Sequence, residues 1–513
     1  MNRKLKLASA LLALIIVFAA VIPAFSADSA PAYTIDNPYE GIDWGTVNTY
    51  KTALHTHTNA SDGSPTLKQS IERHAETGFD IVATTDHGTV NYTWETPNEN
   101  KLIHSALSLI GRSKGDLEYL GKSGEFSNGV SYTLESENGD DYLKLADGRQ
   151  ILRVPYGIEQ NAVSVNAHVN SWFVDYHDNS ITSYSDAIGG VSKAGGICVI
   201  NHPGEYSKAR YEIRSENAYN ADEFQYSYHI NKWAKLLDKY PCCLGIDMNS
   251  KGDARTRFDR ILWDILLKRF ADNGRNVFAI CSSDAHQLDK IDTGFVYALM
   301  PSLSSAALRK SLERGQFFGA SHCLGNPDEL REIYTALEEL YGESELSETI
   351  KATVAEMEQK VLDIESGKAD ADDDIGITYD VLDDDGYCTA ATQPVITSVT
   401  ADEQSGTITI ESENALIVRW ISDGKLVATT KADEAVFSIA DYAESTGNYV
   451  RAEVFGEGGI VYTQAFILNS EKNAGSSPVV DPGFFDFGKL DFLVGVFGNW
   501  KDIIGRAFSN LFS

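Results

Sequence analysis

The 513-residue sequence predicts an α/β fold followed by a small antiparallel β module. From Thr52 to about Leu324, short apolar strands that end in polar residues alternate with helical patterns. Strand followed by helix, repeated, indicates parallel strands joined by right-handed crossovers. Residues 394–468 instead alternate apolar and polar positions, which is typical of antiparallel strands with one buried face.

The first 26 residues have the pattern of a secretory signal peptide. Three basic residues precede an uncharged, mostly apolar run from Ala8 to Ile22, and small residues suit a cleavage after Ser26. That run is short for a membrane-spanning helix, which needs roughly 20 residues. We therefore expect a secreted or extracellular protein, with association at the cell surface left open.

Further boundaries follow from changes in composition along the chain. Asn138-Gly139 is a turn signal and indicates a β-hairpin insertion. The tail has bulky apolar residues at helical spacing, which suits self-association or weak membrane contact. The predicted units are a signal peptide (1–26), an N-terminal segment (27–50), an α/β barrel (51–325) with a hairpin insertion (101–150), a helical acidic insert and linker (326–392), a β-sandwich-like module (393–469), a linker (470–483) and an amphipathic tail helix (484–513).

The chain is acidic, with a formal net charge of −31. A net charge of −16 falls within residues 328–385, so about half of the excess lies in the predicted insert. Binding along a nucleic-acid backbone needs clustered lysine and arginine. The composition thus excludes a general nucleic-acid surface, but a small phosphorylated substrate could still bind where metal ions supply positive charge.

Four motifs place histidine and aspartate directly after predicted strands. They are HTHTNASDG at 55–63, TTDHG at 84–88, INHPG at 200–204 and SSDAH at 282–286. The carboxyl ends of parallel strands meet at one face of an α/β barrel. In HxH and DxH on a strand, alternate side chains point the same way and can share one ion. Nitrogen and carboxylate ligands without cysteine suit Zn²⁺, Mn²⁺ or Fe²⁺.

In order and context, the four motifs resemble those of the PHP (polymerase and histidinol phosphatase) superfamily of metal-dependent phosphoesterases. The resemblance covers about residues 50–325, and it implies a distorted (β/α)7 barrel with two or three divalent ions at its C-terminal mouth. The resemblance implies up to three ion sites, and Glu159 would bridge the ions of the first two. The implied ligands are His55, His57, Glu159 and Asp284 for the first ion, Glu159, His168 and His202 for the second, and Asp62, His87 and His286 for the third.

Two further residues, His177 and Asp86, bear on these assignments. The family often has Gly before the histidine of the second site, whereas Ala167 precedes His168 here, so His177 is the alternative ligand. We expect Asp86 to orient a neighbouring histidine without itself binding the metal.

Cationic residues after the strand-end motifs are candidates for contacts to substrate phosphate. Arg210, eight residues after His202, is the first choice, ahead of Lys208, Arg255 and Arg257. The remaining histidines are expected to be structural or on the surface, with a minor chance that one of them, His322, lines the pocket: His74, His104, His229 and His322.

The resemblance and the N-terminal pattern together imply a secreted phosphoesterase that hydrolyses a phosphomonoester or phosphodiester, nucleotide-derived substrates included, with water activated by the metal. Two alternatives stay open. Amidohydrolase-like metal-dependent hydrolases also begin with HxH, although they often use a carboxylated lysine where Glu159 stands here. A non-catalytic surface protein that only binds metal is the other alternative.

Overall fold

The computed structural model of the chain describes residues 33–98, 100–102, 105, 116–161, 168–181, 183–203, 224–248, 259–322, 327–366, 368, 391–469 and 478–490. Within these ranges seven α-helices are present: α1 (Leu67–Glu76), α2 (Tyr184–Ala194), α3 (Phe224–Lys239), α4 (Asp259–Ala271), α5 (Ser305–Arg314), α6 (Pro327–Tyr341) and α7 (Glu345–Glu365).

The strands of the described chain fall into three sheets. They are β1 (Thr34–Asp36), β2 (Asn48–Ala53), β3 (Ile81–Val82), β4 (Ser123–Glu125), β5 (Ser131–Glu137), β6 (Asp140–Leu145), β7 (Gln150–Arg153), β8 (Ile158–Glu159), β9 (Val169–Trp172), β10 (Ile197–Ile200), β11 (Cys243–Met248), β12 (Phe278–Cys281), β13 (Gly294–Met300), β14 (Phe317–Ser321), β15 (Val395–Asp402), β16 (Thr407–Glu413), β17 (Ile417–Ser422), β18 (Lys425–Lys431), β19 (Val436–Ser438), β20 (Tyr449–Gly456), β21 (Gly459–Tyr462) and β22 (Phe466–Asn469).

Two sheets carry the strands that precede the sequence motifs. The larger has the order β1-β22-β20-β21-β14-β13-β2-β3-β7-β6-β5-β4, with β17 and β18 branching from β20. The second has the order β12-β11-β10-β9-β8. The α/β class predicted from the sequence is confirmed by this combination of sheets and helices.

The strands are less uniformly parallel than the sequence pattern predicted. Pairs β2–β3, β3–β7, β10–β11 and β11–β12 are parallel, whereas β8–β9, β9–β10 and β2–β13 are antiparallel. A parallel crossover needs about a dozen residues or more. The connection from Glu159 to Val169 is shorter than that, so β9 must run back alongside β8.

Two isolated parallel bridges bring the two sheets together. Thr56 pairs with Ala285 after β2 and β12, and His87 pairs with Glu159 after β3. These single pairs do not make a closed barrel of hydrogen-bonded strands in the part of the chain described. The (β/α)7 barrel therefore remains a prediction.

The segment between β3 and β8 forms an antiparallel meander. Strands β4 to β7 pair in succession, and Asn138 and Gly139 both have positive φ at the turn between β5 and β6. Such a turn is the one that Asn-Gly favours. The hairpin predicted from Asn138-Gly139 is thus present.

The C-terminal strands do not all stay in a sheet of their own. Only β15, β16 and β19 form a separate three-stranded sheet, whereas β21 pairs with β14 and β22 pairs with β1. An unpaired sheet edge exposes N–H and C=O groups that another strand can satisfy. The predicted module thus shares a continuous sheet with the N-terminal part, and the proposed domain boundaries stay predictions.

Local sequence signals position the helices on the second sheet. Ser183 caps α2 by accepting from the Asp186 N–H, and Gly195 ends the helix with φ +83°. Every residue of β10 and β11 is buried, and both strands belong to a core that includes the fully buried Trp233 and Trp263. Burial on both faces explains why these strands are apolar apart from Asp247.

No helix in the described ranges has both the length and the apolar character needed to cross a bilayer.

Several sequence-based predictions lie outside the described residues: the signal peptide (1–26), most of the acidic linker (369–390), the greater part of the tail (491–513), and the residues His104, Lys208, Arg210, Arg255 and Arg257.

Candidate metal centre

The four motifs converge at the ends of strands from both sheets. His55 and His57 follow β2, and His87 follows β3. Glu159 ends β8, His202 follows β10, and Asp284 and His286 follow β12. The isolated bridges at Thr56 and His87 hold these ends side by side, so all nine predicted ligands come into one cluster: His55, His57, Asp62, His87, Glu159, His168, His202, Asp284 and His286.

The most deeply buried group consists of His55, His57, Glu159 and Asp284. The Nε2 atoms of His55 and His57 lie 3.1 and 3.0 Å from Asp284 Oδ1. The same two nitrogens lie 3.5 and 3.2 Å from Glu159 Oε2. Two ring nitrogens and two carboxylates thus face one point, and the two rings of the HxH lie on the same side, as their spacing predicted.

A second group surrounds Asp62. Asp62 Oδ1 lies 3.3 Å from His286 Nε2, 3.5 Å from His87 Nε2 and 3.7 Å from His57 Nδ1. Gly63 makes this approach possible, because a Cβ there would lie 2.7 Å from the backbone carbon of His57. The group matches the ligands implied for the third ion, with His57 added.

A third group contains Glu159, His87 and His168. Glu159 Oε1 is 2.6 Å from His168 Nδ1, and Glu159 Oε2 is 3.0 Å from His87 Nδ1. His202 Nε2 lies 3.8 Å from Glu159 Oε1 and 3.7 Å from Asp284 Oδ2. Glu159 therefore belongs to two of the three groups, and His168 is in contact with it.

Two members of the cluster have unusual backbone conformations. His202 has φ +26° and Asp284 has φ +45°, although neither is a glycine. Positive φ in such residues is uncommon and persists where the surrounding structure imposes it, which is frequent at functional sites. Both residues follow strands of the second sheet, so the turn directs their side chains toward the cluster.

Asp247 is a functional candidate that the sequence analysis missed. It is buried near the end of β11, and its Oδ2 accepts hydrogen bonds from His55 Nδ1 at 3.0 Å and from Ser282 Oγ at 2.5 Å. Ligating histidines usually donate a hydrogen bond from the N–H of their second ring nitrogen to such a partner. The signal was an aspartate inside the apolar run CLGIDM at a strand end.

Other side chains around the cluster fix its shape. Asp86 accepts from Thr58 N–H, Thr58 Oγ1 and Ser61 Oγ, and Ser61 Oγ lies 3.2 Å from His57 Nδ1. Asp86 thus reaches the nearest histidine through Ser61. Asn201 Nδ2 donates to Glu159 Oε1 at 2.8 Å, a contact for which the sequence offered no signal beyond its place before His202.

Charges within the cluster shift one another's pKa. Burial disfavours the charged form of His55, yet Asp284, Asp247 and Glu159 raise its pKa well above the usual value. Burial would raise the pKa of Glu159, but His87 and His168 hold it well below the usual range. Glu159 is therefore ionised at neutral pH, although it is completely buried.

The residues fit a divalent metal. Glu159 Oε2 is buried and accepts no hydrogen bond of good geometry from the described part of the chain, although three histidine nitrogens lie within 3.5 Å of it. A buried carboxylate oxygen in that position needs a compensating cation. Imidazole nitrogen and carboxylate oxygen are ligands that Zn²⁺, Mn²⁺ and Fe²⁺ accept. The site can hold a divalent ion; the number of ions and the metal are proposals.

The other histidines predicted from the sequence lie elsewhere. His177 contacts Gln160 and Asn179, away from the carboxylates of the cluster. His322 Nδ1 donates to the Gly458 carbonyl, and its Nε2 lies 3.7 Å from Asp292. His74 and His229 are both buried in helices.

Comparison with known proteins yields only remote matches. No protein-family model matches the sequence, and no curated protein matches it. Among solved structures, the matches include a two-domain protein from Bacteroides vulgatus that contains a predicted PHP-like metal-dependent phosphoesterase, with 13% identity, coverage of 89% of this chain and 98% of that one, and a TM-score of 0.32.

Two further structures match about half of this chain. PsfC from Pseudomonas syringae has 13% identity over 52% of this chain and 88% of its own, with a TM-score of 0.29. A lesion-specific endonuclease from Pyrococcus furiosus has 12% identity over 52% of this chain and 56% of its own, with a TM-score of 0.29. The B. vulgatus description names the family that the four motifs resemble. Likeness this remote carries no argument about function.

Proposed function

We propose that the protein is a secreted metal-dependent phosphoesterase of the PHP type, acting on a phosphomonoester or phosphodiester at a site of two or three divalent ions. One observation carries the proposal: side chains from three of the four motifs, together with Glu159 and His168, converge into three overlapping groups, and within each group the candidate ligand atoms lie within 4.8 Å of one another. His202 of the fourth motif lies 3.8 Å from Glu159.

Each group of side chains has a role in holding the ions. His55, His57, Glu159 and Asp284 would hold the first, and His87 and His168 share Glu159 with it. When bound, such ions supply a nucleophile from water at neutral pH and neutralise the oxygens of the phosphate and the leaving group. This chemistry lets an acidic chain accept an anionic substrate.

The surrounding residues prepare these ligands. A hydrogen bond to the Asp247 carboxylate holds the proton on His55 Nδ1, so that Nε2, which faces Asp284 and Glu159, is the nitrogen that would bind a metal ion. Asn201 and His168 both donate to Glu159 Oε1, which orients its other oxygen toward His57 and His87. The site is thereby preorganised before substrate arrives.

Activity measurements test the proposal. Purified protein is assayed with Mn²⁺ or Zn²⁺ against phosphomonoesters, phosphodiesters and nucleotides, with metal content measured on the same sample. We expect turnover that Glu159→Gln lowers at least about 100-fold, because even the partners of ligating residues are worth about 10- to 100-fold. Glu135→Gln, in the exposed β5 strand, serves as the control.

Failure would take a definite form. Metal bound at the expected residues without turnover of any phosphoester would favour the non-catalytic alternative. Hydrolysis of amides or lactones, with phosphoesters untouched, would favour the amidohydrolase-like alternative.

Location and partners are part of the same proposal. The N-terminal pattern supports secretion, and export disfavours cytoplasmic substrates, so phosphate release from extracellular nucleotides or phosphodiesters is the best fit. Arg210 is proposed to contact phosphate, and the tail is proposed to mediate self-association or weak membrane contact. Cell fractionation with and without residues 1–26 tests the location.

A further inference from the structure

A polar cavity of 420 Å³ lies beside Gly88, the residue that follows His87. Its lining comes from three stretches, residues 88–92, 100–101 and 175–179. Small-molecule sites commonly measure about 300–1,000 Å³. The cavity is therefore large enough to hold the organic part of a small substrate, and none of its lining residues is among the proposed metal ligands.

The cavity adjoins the metal centre through Gly88, which follows His87 and donates its N–H to the Glu159 carbonyl at 2.9 Å. The side chains of His55, His57, Glu159 and Asp284 are at most 1% exposed, so substrate cannot reach them from their own side. His87 is 13% exposed and His286 33%. A phosphate that reaches the centre past His87 would leave the rest of its molecule beside Gly88, where the cavity starts.

Hydrogen bonds hold the cavity walls together. Tyr92 Oη donates to Asp175 Oδ1 at 2.8 Å. Asn100 Nδ2 donates to the Gly88 carbonyl at 2.6 Å and to Asn179 Oδ1 at 3.1 Å. The three stretches are therefore tied to one another and to the residue that follows His87.

The lining also indicates the class of ligand. It offers a phenol hydroxyl, two carboxamides, an imidazole and one charge of each sign, from Tyr92, Asn100, Asn179, His177, Asp175 and Lys101. Sugar hydroxyls both donate and accept, so they need such a mixed set of partners. The ring of Tyr92, half-exposed, also provides a face on which a sugar ring can pack.

We propose that this cavity binds the sugar portion of a sugar phosphate whose phosphate lies at the metal centre. The inference rests on the proposed phosphoesterase function and adds a substrate class to it. Tyr92 and Asn179 are specificity residues in this scheme, because they contact the sugar and not the reacting phosphorus.

Paired substrates test the proposal. Glucose 6-phosphate and ethyl phosphate both release a primary alcohol, so their intrinsic reactivities are similar and they differ chiefly in the sugar hydroxyls. We expect wild-type kcat/KM to favour glucose 6-phosphate by about 10-fold or more, and Tyr92→Phe or Asn179→Ala to reduce that ratio by about 10-fold, the effect of one or two lost hydrogen bonds.

Tyr341→Phe is the matched control. Tyr341 and Tyr92 are both 50% exposed, and each hydroxyl donates one hydrogen bond, but Tyr341 lies on α6 and bonds the Leu416 carbonyl. This variant should leave the substrate ratio unchanged. Equal wild-type preference for the two phosphates, or a ratio unaffected by both cavity variants, would overturn the proposal while leaving the phosphoesterase function intact.

A binding measurement separates the two hypotheses. Glucose 6-phosphate is titrated calorimetrically into the full chain loaded with Ca²⁺, and phosphate release is measured on the same sample, so that binding is recorded separately from turnover. We expect Tyr92→Phe and Asn179→Ala to raise Kd about 10-fold relative to Tyr341→Phe. That result without turnover of any phosphoester would refute the phosphoesterase and keep the sugar-phosphate site; absence of binding together with absence of turnover would refute both.

Discussion

His55 Nδ1 lies 3.0 Å from Oδ2 of Asp247, and both side chains are almost completely buried. The contact joins a residue that follows β2 in the larger sheet to a residue of β11 in the second sheet. Burial raises the pKa of Asp247 above its usual value, and the hydrogen bonds from His55 and Ser282 counteract part of this rise. Burial of this carboxylate costs free energy, and its contact with Nδ1 orients the ring of His55, a proposed metal ligand.

Asp247→Asn tests that relationship. The amide keeps the shape and can still accept a hydrogen bond, but it removes the charge that supports His55. We expect divalent metal affinity to fall about 10- to 100-fold, as for other partners of ligating histidines. Competitive metal titration measures it, with Asp147→Asn at an exposed turn as the control. Unchanged affinity in Asp247→Asn would contradict the assigned role.

A second prediction distinguishes His168 from His177 as the ligand beside Glu159. His168 Nδ1 is 2.6 Å from Glu159 Oε1, whereas His177 contacts Gln160 and Asn179. His168→Ala should therefore lower the number of divalent ions retained per chain, and His177→Ala should not. Elemental analysis after gel filtration measures both, and the reverse result would make His177 the ligand.

The buried ion pairs between α4 and β20 predict a large stability effect. Both Asp264 oxygens accept from Arg451, and Oδ1 also accepts from Tyr449. Because its loss leaves a buried guanidinium with less compensation, Asp264→Ala should reduce the free energy of unfolding by about 3–5 kcal/mol.

The exposed Lys268–Asp423 pair gives the comparison. Lys268 lies on the same helix, 3.2 Å from Asp423, with its side chain 60% exposed. Lys268→Ala should change the unfolding free energy by less than about 1 kcal/mol. Urea titrations measure both variants, and similar losses in the two would contradict the importance of burial.

His74 predicts a pH effect remote from the metal centre. It is buried in α1, its Nδ1 donates to the Ser70 carbonyl at 2.7 Å, and burial lowers its pKa to about 4. The unfolded value is about 6.5, so protons favour the unfolded chain below that pH. This contribution to stability is complete above pH 6.5 and is lost as the pH falls through about 4.

The measurement compares wild type with His74→Leu by urea unfolding, in chelator, at pH 7 and pH 4. The full pKa shift corresponds to about 3 kcal/mol of unfolding free energy. Between pH 7 and pH 4, wild type should therefore lose more unfolding free energy than His74→Leu does, and the difference should be a large part of this amount. Equal pH dependence in the two proteins would show that His74 does not titrate as its burial predicts.

Motif spacing carried much of the candidate site but not its surroundings. Alternation along a strand is a local property, so the shared direction of His55 and His57 could be predicted from HxH alone. Asp247 and Asn201 could not be singled out, because their roles depend on strands that are distant in sequence and adjacent only in the fold.

The sequence by itself determined the candidate metal ligands, the order of the four motifs, their places after apolar runs, and the α/β class. These follow from side-chain type and periodicity, which are local. Tertiary structure decided that Glu159 belongs to two of the three groups, that His168 and not His177 contacts it, and that β21 extends the sheet of β14. Those outcomes depend on packing and on strand pairing between distant segments, whose free energies are not encoded in any short stretch of the chain.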